Sequence, residues 1–344
     1  MGLAGKFSGV RIVAVAASVP ESVVKNDAYL SVQDEETLKK FEKMTGVLER
    51  RHVIALTTSE LALDSAIALQ SAGAWDADDV DAILFVSQTP DYQLPATACR
   101  LHGELGLKHD CLALDINLGC SGFVYGLHAA SSFIVSGSCR KILLVGGDCI
   151  SRVAKKNDAA NQMLFGDAGF AAVIECDETD GHFLPYLMGT NGVGCDAIYA
   201  RGGGLRSEIK GQSILDSCLH MDGPEVFDFT ISAVPSAIKD FCDAFGQSID
   251  SFDHFAFHQA NKFILKQIAM LSGFKSSKHL MSIGTYGNTS SASIPLTLCA
   301  NLGDVAGQTL MAGFGVGLSW GIMSYDFTDT KLLPVREVKE RSCE

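Results

Sequence analysis

The feature that most constrains the fold is an internal repeat of strand-like and helix-like segments. In each copy an acidic start leads into an apolar run and then a polar turn, and two further apolar runs follow in the same order. The corresponding segments, first copy before second, are 79–90 and 249–260, 141–147 and 309–315, and 169–175 and 319–325. This alternation, met twice, predicts an α/β protein built from two similar halves.

The repeat suggests a division of the chain into four parts. Residues 1–176 are expected to form the N-terminal half and residues 216–327 the C-terminal half. Between them, 177–215 is a glycine-rich connecting segment that contains the run Arg201–Arg206. The charged residues 328–344 show little pattern, and we expect a peripheral tail. Several strand-like runs are continuously apolar, which predicts sheets that are covered on both faces.

Composition and charge narrow the class of protein. A chain that is 47% hydrophobic and 19% charged is typical of a globular protein with a large core. A net charge of −13 argues against nucleic acid or an anionic membrane as the main partner. The first apolar run, Val10–Ala17, is short for a signal peptide, and no run approaches the roughly 18 residues of a membrane span. We therefore expect a cytoplasmic protein.

The eleven cysteines are scattered and include no C-x-x-C pair, so they lack the spacing of zinc ribbons and dithiol redox sites. Most are expected to be reduced, buried small hydrophobic residues. His254 and His258 lie on a strand-like run, which would place them about 13 Å apart and prevent them from sharing a metal. We expect no metal site.

The segment Gly317–Gly321 matches the G-x-S-x-G pattern of serine hydrolases. That pattern requires a strand, a tight turn and a helix, with the catalytic histidine later in the chain. Here Ser319 begins a strand-like run, and the last histidine, His279, precedes it. We reject a serine hydrolase on these grounds. Phosphate-loop and dinucleotide-binding patterns are also missing from the sequence.

Cys120 differs from the other cysteines in its surroundings. In DINLGCSGF, residues 115–123, it follows a strand-like run and a short turn, and the helix-like segment 122–136 begins after it. Unpaired N–H groups and the dipole at a helix N-terminus favour a thiolate. Because that helix is apolar nearly all round, it should be buried. The pattern predicts a nucleophilic thiol at the bottom of a tunnel.

Three later segments offer partners for such a thiol. His258 stands where an apolar strand meets a helix, and Asn288 stands in a polar turn before an apolar run. The glycine-rich segment Gly313–Gly317 supplies backbone N–H groups that can face a developing oxyanion. Structural roles for the histidine and the asparagine remain the alternative at this point. His128 lies on an apolar helix and is expected to be a core histidine.

Four segments in order, DINLGCSGF, FHQANKFIL, YGNTSSASIPL and GFGVGLSWG, resemble β-ketoacyl-acyl carrier protein synthase III of the thiolase superfamily. The resemblance runs from about Val10 to Phe327 and includes TGVLERR, FGDAG and MDGPEVF. It implies the thiolase-like duplicated α/β fold with five layers, αβαβα. It also implies a homodimer without a permanently bound cofactor, whose substrates are thioesters of CoA or of the phosphopantetheine on an acyl carrier protein.

The resemblance implies a role for each candidate residue. Cys120 would accept the acyl group, and His258 and Asn288 would bind a malonyl-type thioester and stabilise its enolate. The backbone N–H groups of Cys120 and Val316 would form the oxyanion hole. The reaction would be acyl transfer followed by decarboxylative Claisen condensation. The residues implied to bind substrate are Phe227, Asn261 and Phe314, along the pantetheine channel or the active-site wall, and Arg152 at CoA.

The sequence departs from the family pattern where the adenine of CoA is expected to bind. Lys40 and Met44 stand in place of a tryptophan and an arginine, so the aromatic stacking surface is missing. The acyl donor is then either CoA bound differently or an acyl carrier protein. The basic residue expected for carrier docking is replaced by Phe263, and Lys262 and Lys266 beside it are the candidates for that contact.

Leu94 marks a further departure. The family carries a large aromatic residue near this position, which crosses the dimer and closes the partner's acyl pocket. The smaller leucine predicts that the pocket accepts a chain longer than acetyl.

Two alternatives stay open. One is transfer of the acyl group to an amine or alcohol, which retention of Asn288 disfavours. The other is a non-catalytic partner subunit, which retention of Cys120, His258 and Asn288 disfavours. The altered adenine site favours a specialised pathway over bulk fatty-acid initiation.

Overall fold

Two mixed β-sheets face each other, with one layer of helices between them and further helices on their outer faces. The structure is a computed structural model that describes residues 2–155, 158–179, 181–200, 202 and 218–340. The described strands are β1 (Leu3–Ser8), β2 (Val10–Pro20), β3 (Val23–Lys25), β4 (Glu49–Arg51), β5 (Ala82–Val86), β6 (Leu112–Ile116), β7 (Lys141–Asp148), β8 (Ala168–Cys176), β9 (Phe183–Thr190), β10 (Ile198–Ala200), β11 (Leu219–Met221), β12 (His254–Phe257), β13 (Gln308–Gly315), β14 (Ser319–Asp326), β15 (Lys331–Leu332) and β16 (Arg336–Val338).

The helices form the other three layers. They are α1 (Glu35–Thr45), α2 (Thr58–Ser71), α3 (Thr97–Glu104), α4 (Gly122–Val135), α5 (Ala159–Leu164), α6 (Gly223–Phe245), α7 (Lys262–Ser272), α8 (Ile283–Tyr286) and α9 (Ser293–Ala300). Helices α2 and α3 cover one sheet, α6 and α7 cover the other, and α4 and α9 lie between the sheets. The predicted five-layered αβαβα arrangement is confirmed.

The two sheets repeat one pattern of strands. In the first sheet β8, β7 and β5 are consecutive neighbours, and in the second β14, β13 and β12 are. The first pair of each set is antiparallel and the second pair is parallel. The apolar runs that the sequence matched are these strands. The predicted duplication of an α/β unit is therefore confirmed in the order and direction of its strands.

The second sheet contains two strands, β1 and β9, that come before the C-terminal half predicted from the sequence repeat. β9 lies inside the segment 177–215 that was predicted to be a connection, yet it pairs with β14 on one side and with β1 on the other. Pro185 and Gly189 interrupt its strand-like pattern, which hides it in the sequence. Of the predicted glycine-rich run Arg201–Arg206, all but Gly202 lies outside the described residues.

The C-terminal segment also differs from the prediction of a peripheral tail. β15 and β16 both pair in parallel with β2 and extend the first sheet. The Glu340 carboxylate then accepts the backbone N–H groups of Ile54, Ala55 and Leu56 at 2.9, 2.9 and 3.2 Å. These contacts join residues that are far apart in the chain, so no local sequence pattern predicts them.

The middle layer explains why the repeat produces one core. Helix α4 buries Phe123, Val124 and Leu127 between the sheets, and helix α9 buries Ile294 and nearly all its other residues. Burial on most sides agrees with the sequence of α4, which is apolar nearly all round. None of the described helices is long and apolar enough to cross a bilayer.

Candidate active site

Cys120, His258 and Asn288 line one cavity of about 120 Å³. Cys120 follows β6 and precedes α4, His258 follows β12, and Asn288 follows α8. Strands β6 and β12 both run parallel to a neighbour in their own sheet, so Cys120 and His258 stand at carboxyl ends of parallel strands, where α/β proteins commonly bind ligands.

Two glycines make room around the thiol. A Cβ atom on Gly119 would stand 1.7 Å from Gln88 Oε1, so the Gln88 side chain would have to move. Gly315 has φ +151°, and a Cβ atom on it would stand 2.7 Å from Cys120 Cβ. The backbone of β13 therefore packs directly against the nucleophile turn, which a side chain at Gly315 would prevent.

Burial raises the pKa of the Cys120 thiol to about 11, and the negative charge of Asp148 adds to the rise. The backbone N–H of Val316, the Ser290 hydroxyl and the N–H of Cys120 itself oppose that rise. These N–H groups lower the pKa in the direction that the sequence predicted, but desolvation outweighs them in the unliganded site. The N–H groups of Cys120 and Val316 are also the predicted oxyanion-hole donors.

His258 is held as a neutral imidazole. Its ring is 2% exposed, its Nδ1 lies 3.1 Å from Ser293 Oγ, and its face meets Phe314 edge-on at 5.4 Å between centroids. Burial lowers the pKa of His258 to about 4, and hydrogen bonding to the Ser290 backbone only partly opposes it. The ring is uncharged at neutral pH.

The Asn288 side chain has a fixed orientation. Its Oδ1 accepts the backbone N–H of Ser290 at 3.0 Å. The Asn288 backbone is also held, since its N–H donates to the Leu164 carbonyl at 2.9 Å and its carbonyl accepts the Gly166 N–H at 3.0 Å. The side-chain NH₂ group is the donor that this amide can offer to a ligand.

Two residues that the sequence prediction missed support this wall of the cavity. Ser290 has φ +51°, a conformation that no other non-glycine residue adopts in the described part of the chain. Its Oγ lies 4.0 Å from the Sγ of Cys120. Asp148 is fully buried and accepts the N–H groups of Gln88 and Ser291 at 2.7 and 3.1 Å. Ser290 lies inside the recognised segment YGNTSSASIPL, although no role was predicted for it, whereas no local sequence pattern points to Asp148.

The predicted substrate residues divide into two groups. Phe314 and Asn261 line the cavity together with Val316, and Asn261 also caps α7 by accepting the Ile264 N–H at 2.8 Å. Phe227 does not line it; its ring stacks on Phe263 at 5.7 Å. Phe227 lies on the same helix as Val226 and Thr230, which do line the cavity, and its place along the channel stays a prediction.

Three other predicted contacts lie on the surface of the chain. The Arg152 guanidinium donates to the Ile54 carbonyl, and Leu94 is 82% exposed. Neither side chain lines the cavity. Lys262 and Lys266 are exposed on α7.

The remaining sequence candidates lie elsewhere. Lys40 forms an exposed ion pair with Glu36 at 2.8 Å on α1, and Met44 is exposed on the same helix. His128 packs edge-on against Tyr186 within the middle layer, and burial lowers its pKa. It acts as the core histidine that the sequence predicted.

Comparison with known proteins finds similarity to one family of enzymes over most of the chain. Residues 114–192 match the family model for 3-oxoacyl-[acyl-carrier-protein] synthase III, and residues 242–327 match the model for its C-terminal part. The β-ketoacyl-[acyl-carrier-protein] synthase III of Streptococcus pneumoniae strain Hungary19A-6 is 34% identical over 319 residues, which cover 91% of this chain and 98% of that protein.

Solved structures agree with these matches. A 3-oxoacyl-(acyl-carrier protein) synthase from Burkholderia xenovorans LB400 is 38% identical with a TM-score of 0.92, covering 98% of this chain and 99% of the other. The priming β-ketosynthase of the R1128 polyketide pathway is 26% identical with a TM-score of 0.83, covering 95% and 97%. The chain therefore belongs to the 3-oxoacyl-[acyl-carrier-protein] synthase III family of condensing acyltransferases with the thiolase-like fold.

Proposed function

We propose that Cys120 carries an acyl group that this enzyme joins to a malonyl-type thioester. The observation that carries the proposal is the convergence of a thiol, a neutral imidazole and an oriented carboxamide on one cavity. The Val316 N–H, which interacts with the thiol, completes the set. This combination contains a nucleophile, donors for an oxyanion and donors for an enolate.

In the first step, the sulfur of Cys120 attacks the carbonyl carbon of an acyl thioester. The new S–C bond forms while the old one breaks, and the departing thiol takes up the proton that Cys120 releases. The carbonyl oxygen becomes an oxyanion between the N–H groups of Cys120 and Val316. Because the resting thiol has a pKa of about 11, it stays protonated until the substrate enters.

In the second step, the malonyl-type thioester places its carbonyl oxygen at His258 and the Asn288 NH₂. Loss of CO₂ leaves an enolate on that oxygen, and its carbon attacks the acyl carbon on Cys120. The C–S bond breaks, and the thiolate of Cys120 is regenerated. A neutral His258 stabilises the enolate by a hydrogen bond without supplying a proton that would quench it.

The acyl donor is a thioester of CoA or of an acyl carrier protein. The exposed Lys262 and Lys266 lie on the helix whose first turn lines the cavity, and they are our candidates for contact with an acidic carrier. The proposed substrate roles of Arg152 and Phe227 require a substrate that extends beyond the cavity, since neither side chain lines it. The alternative acceptor, an amine or alcohol, would leave the Asn288 NH₂ without a function.

A homodimer is the expected assembly. Strand β6 is an edge of the first sheet and exposes Leu112 and Leu114, which are 46% and 43% accessible. An exposed apolar edge strand favours pairing with a second copy. In such a dimer, Leu94 would help to close the partner's acyl pocket. Its small size leads us to propose a chain longer than acetyl.

The decisive experiment combines intact-protein mass spectrometry with CO₂ release. Purified protein is mixed with acetyl-CoA and with C6–C12 acyl-CoA and acyl-carrier donors, and an adduct on Cys120 is expected. A malonyl thioester should then yield CO₂ and a β-ketoacyl product. Failure of every donor to form an adduct would contradict the proposal. An adduct that passes to an amine or alcohol without CO₂ release would favour the alternative, and reaction with acetyl alone would refute the longer chain.

A further inference from the structure

Ser319 connects the two backbone segments that border the thiol. Its Oγ lies 2.7 Å from Ser121 Oγ and 2.8 Å from the carbonyl oxygen of Val316. Ser121 directly follows Cys120. Ser319 and Ser121 are 2% and 1% exposed, so water does not compete for these hydrogen bonds. The contact therefore joins the start of α4 to the turn between β13 and β14.

The direction of the two hydrogen bonds follows from their chemistry. A carbonyl oxygen only accepts, so the Ser319 hydroxyl donates its proton to Val316. The Ser319 oxygen must then accept the proton of Ser121. Both hydroxyl protons are therefore donated in the same direction, from Ser121 to Ser319 and from Ser319 to the Val316 carbonyl. Removal of the middle hydroxyl leaves a donor and an acceptor without partners in a dry environment.

This chain of hydrogen bonds fixes the spacing of the two segments. A Cβ atom on Gly313 would stand 2.9 Å from Ser121 Cα, so the strand backbone already touches the nucleophile turn. The Val316 carbonyl is held by Ser319 while its N–H interacts with the thiol of Cys120. One hydroxyl thus contacts Val316 itself and the side chain of Ser121, the residue directly after Cys120.

We propose that Ser319 is a positioning residue that sets the separation of the Cys120 and Val316 N–H groups for the oxyanion. The inference rests on the oxyanion role proposed above for these groups. An oxyanion hole works only when its donors stand about 2.7–3.1 Å from the developing charge. Ser319, the serine of the rejected G-x-S-x-G match, therefore supports the reaction of the Cys120 thiol and is not itself a nucleophile.

The test separates reactions of Cys120 that form an oxyanion from one that does not. Ser319→Ala should lower the rate of Cys120 acylation by hexanoyl-CoA or acetyl-CoA, whichever reacts faster with the wild type, by about 10- to 100-fold. Alkylation of Cys120 by iodoacetamide displaces iodide and forms no oxyanion, so its rate should fall much less than the acylation rate. Ser319→Thr keeps the hydroxyl and should restore most of the acylation rate.

Ser131→Ala is the matched control. Ser131 is fully buried and donates to the Leu127 carbonyl at 2.8 Å within α4, but it does not line the cavity. Thermal unfolding of each variant reports the loss of stability. If Ser319→Ala acylates as fast as Ser131→Ala, or if alkylation falls as much as acylation, the positioning role is refuted. If the wild type accepts no acyl donor, the proposed function fails, and this inference fails with it.

Discussion

The inner wall of the cavity and the exposed face of α7 beside it follow different rules. On the inner wall, His258 and Asn288 are buried, and His258 Nδ1 and Asn288 Oδ1 each have a defined partner. On α7, Lys262 and Lys266 are exposed and form no ion pair among the described residues. Chemistry on an acyl group needs donors fixed in a dry site, whereas a charged surface contact tolerates many arrangements.

The difference explains where the sequence keeps the family pattern and where it departs from it. The recognisable motifs surround the cavity, and the departures at Lys40, Met44 and Phe263 lie at exposed positions. An inner-wall substitution disturbs several hydrogen bonds at once, but a surface substitution changes one weak interaction. The following predictions test whether the two regions differ in this way.

The largest effect is expected from the nucleophile itself. Cys120→Ala should abolish the acyl adduct and lower condensation by at least about 1,000-fold, because no other group forms the covalent intermediate. Mass spectrometry and product formation measure both. Cys139→Ala is the control, since Cys139 is a buried core thiol outside the cavity. An adduct that persists in Cys120→Ala would place the nucleophile elsewhere.

The second effect separates the two chemical steps. His258→Ala and Asn288→Ala should each lower CO₂ release from a malonyl thioester by about 100- to 1,000-fold, because each removes a donor to the enolate oxygen. The adduct on Cys120 should still form at a rate much closer to that of the wild type. His279→Gln is the control, because His279 is also buried but does not line the cavity. Equal loss of acylation and CO₂ release would contradict separate roles.

The third effect concerns acid stability. The folded-state pKa values of His258 and His279 are each about 4, below the ordinary value of 6.5, because both rings are buried. The unfolded chain binds protons first, so stability falls as the pH drops from about 6.5 towards 4. Between pH 7 and 5, each histidine should contribute a loss of about 2 kcal/mol in the free energy of unfolding.

Denaturant titration across this pH range measures that loss. His279→Gln should remove the contribution of this one ring, about 2 kcal/mol between pH 7 and 5. If its pH dependence matched that of the wild type, the neutral buried ring would be the wrong description of this region.

The smallest effect is expected on the surface. Lys262→Glu together with Lys266→Glu should raise the KM for an acyl-carrier substrate by about tenfold at low salt, since two attractive charges become repulsive. The KM for an acyl-CoA and the kcat should change little. Lys239→Glu, at an exposed position on α6, is the control. A loss confined to kcat would show that α7 influences the inner wall and would weaken the comparison.

The catalytic residues could be predicted from local sequence, because each motif combines a reactive side chain with the turn that presents it. Cys120 stands between glycines at a strand-to-helix turn, and Asn288 stands in a glycine-containing turn. The structure brings these residues to one cavity with His258, as the sequence predicted. Phe227 shows the limit of this reasoning, since a matching motif did not settle which way its side chain points along α6.

The alternating apolar pattern, repeated once, was sufficient to determine a duplicated α/β fold, because strand and helix periods are encoded within short windows. Only the tertiary structure decided which strands complete each sheet, since β9 and the C-terminal strands pair with distant partners. It also decided the ionisation of the site: a helix N-terminus suggested a thiolate at Cys120, but burial, which depends on the whole fold, keeps the thiol protonated. The bridge from Ser121 through Ser319 to Val316 has the same origin, because it joins residues 198 positions apart that no local pattern relates.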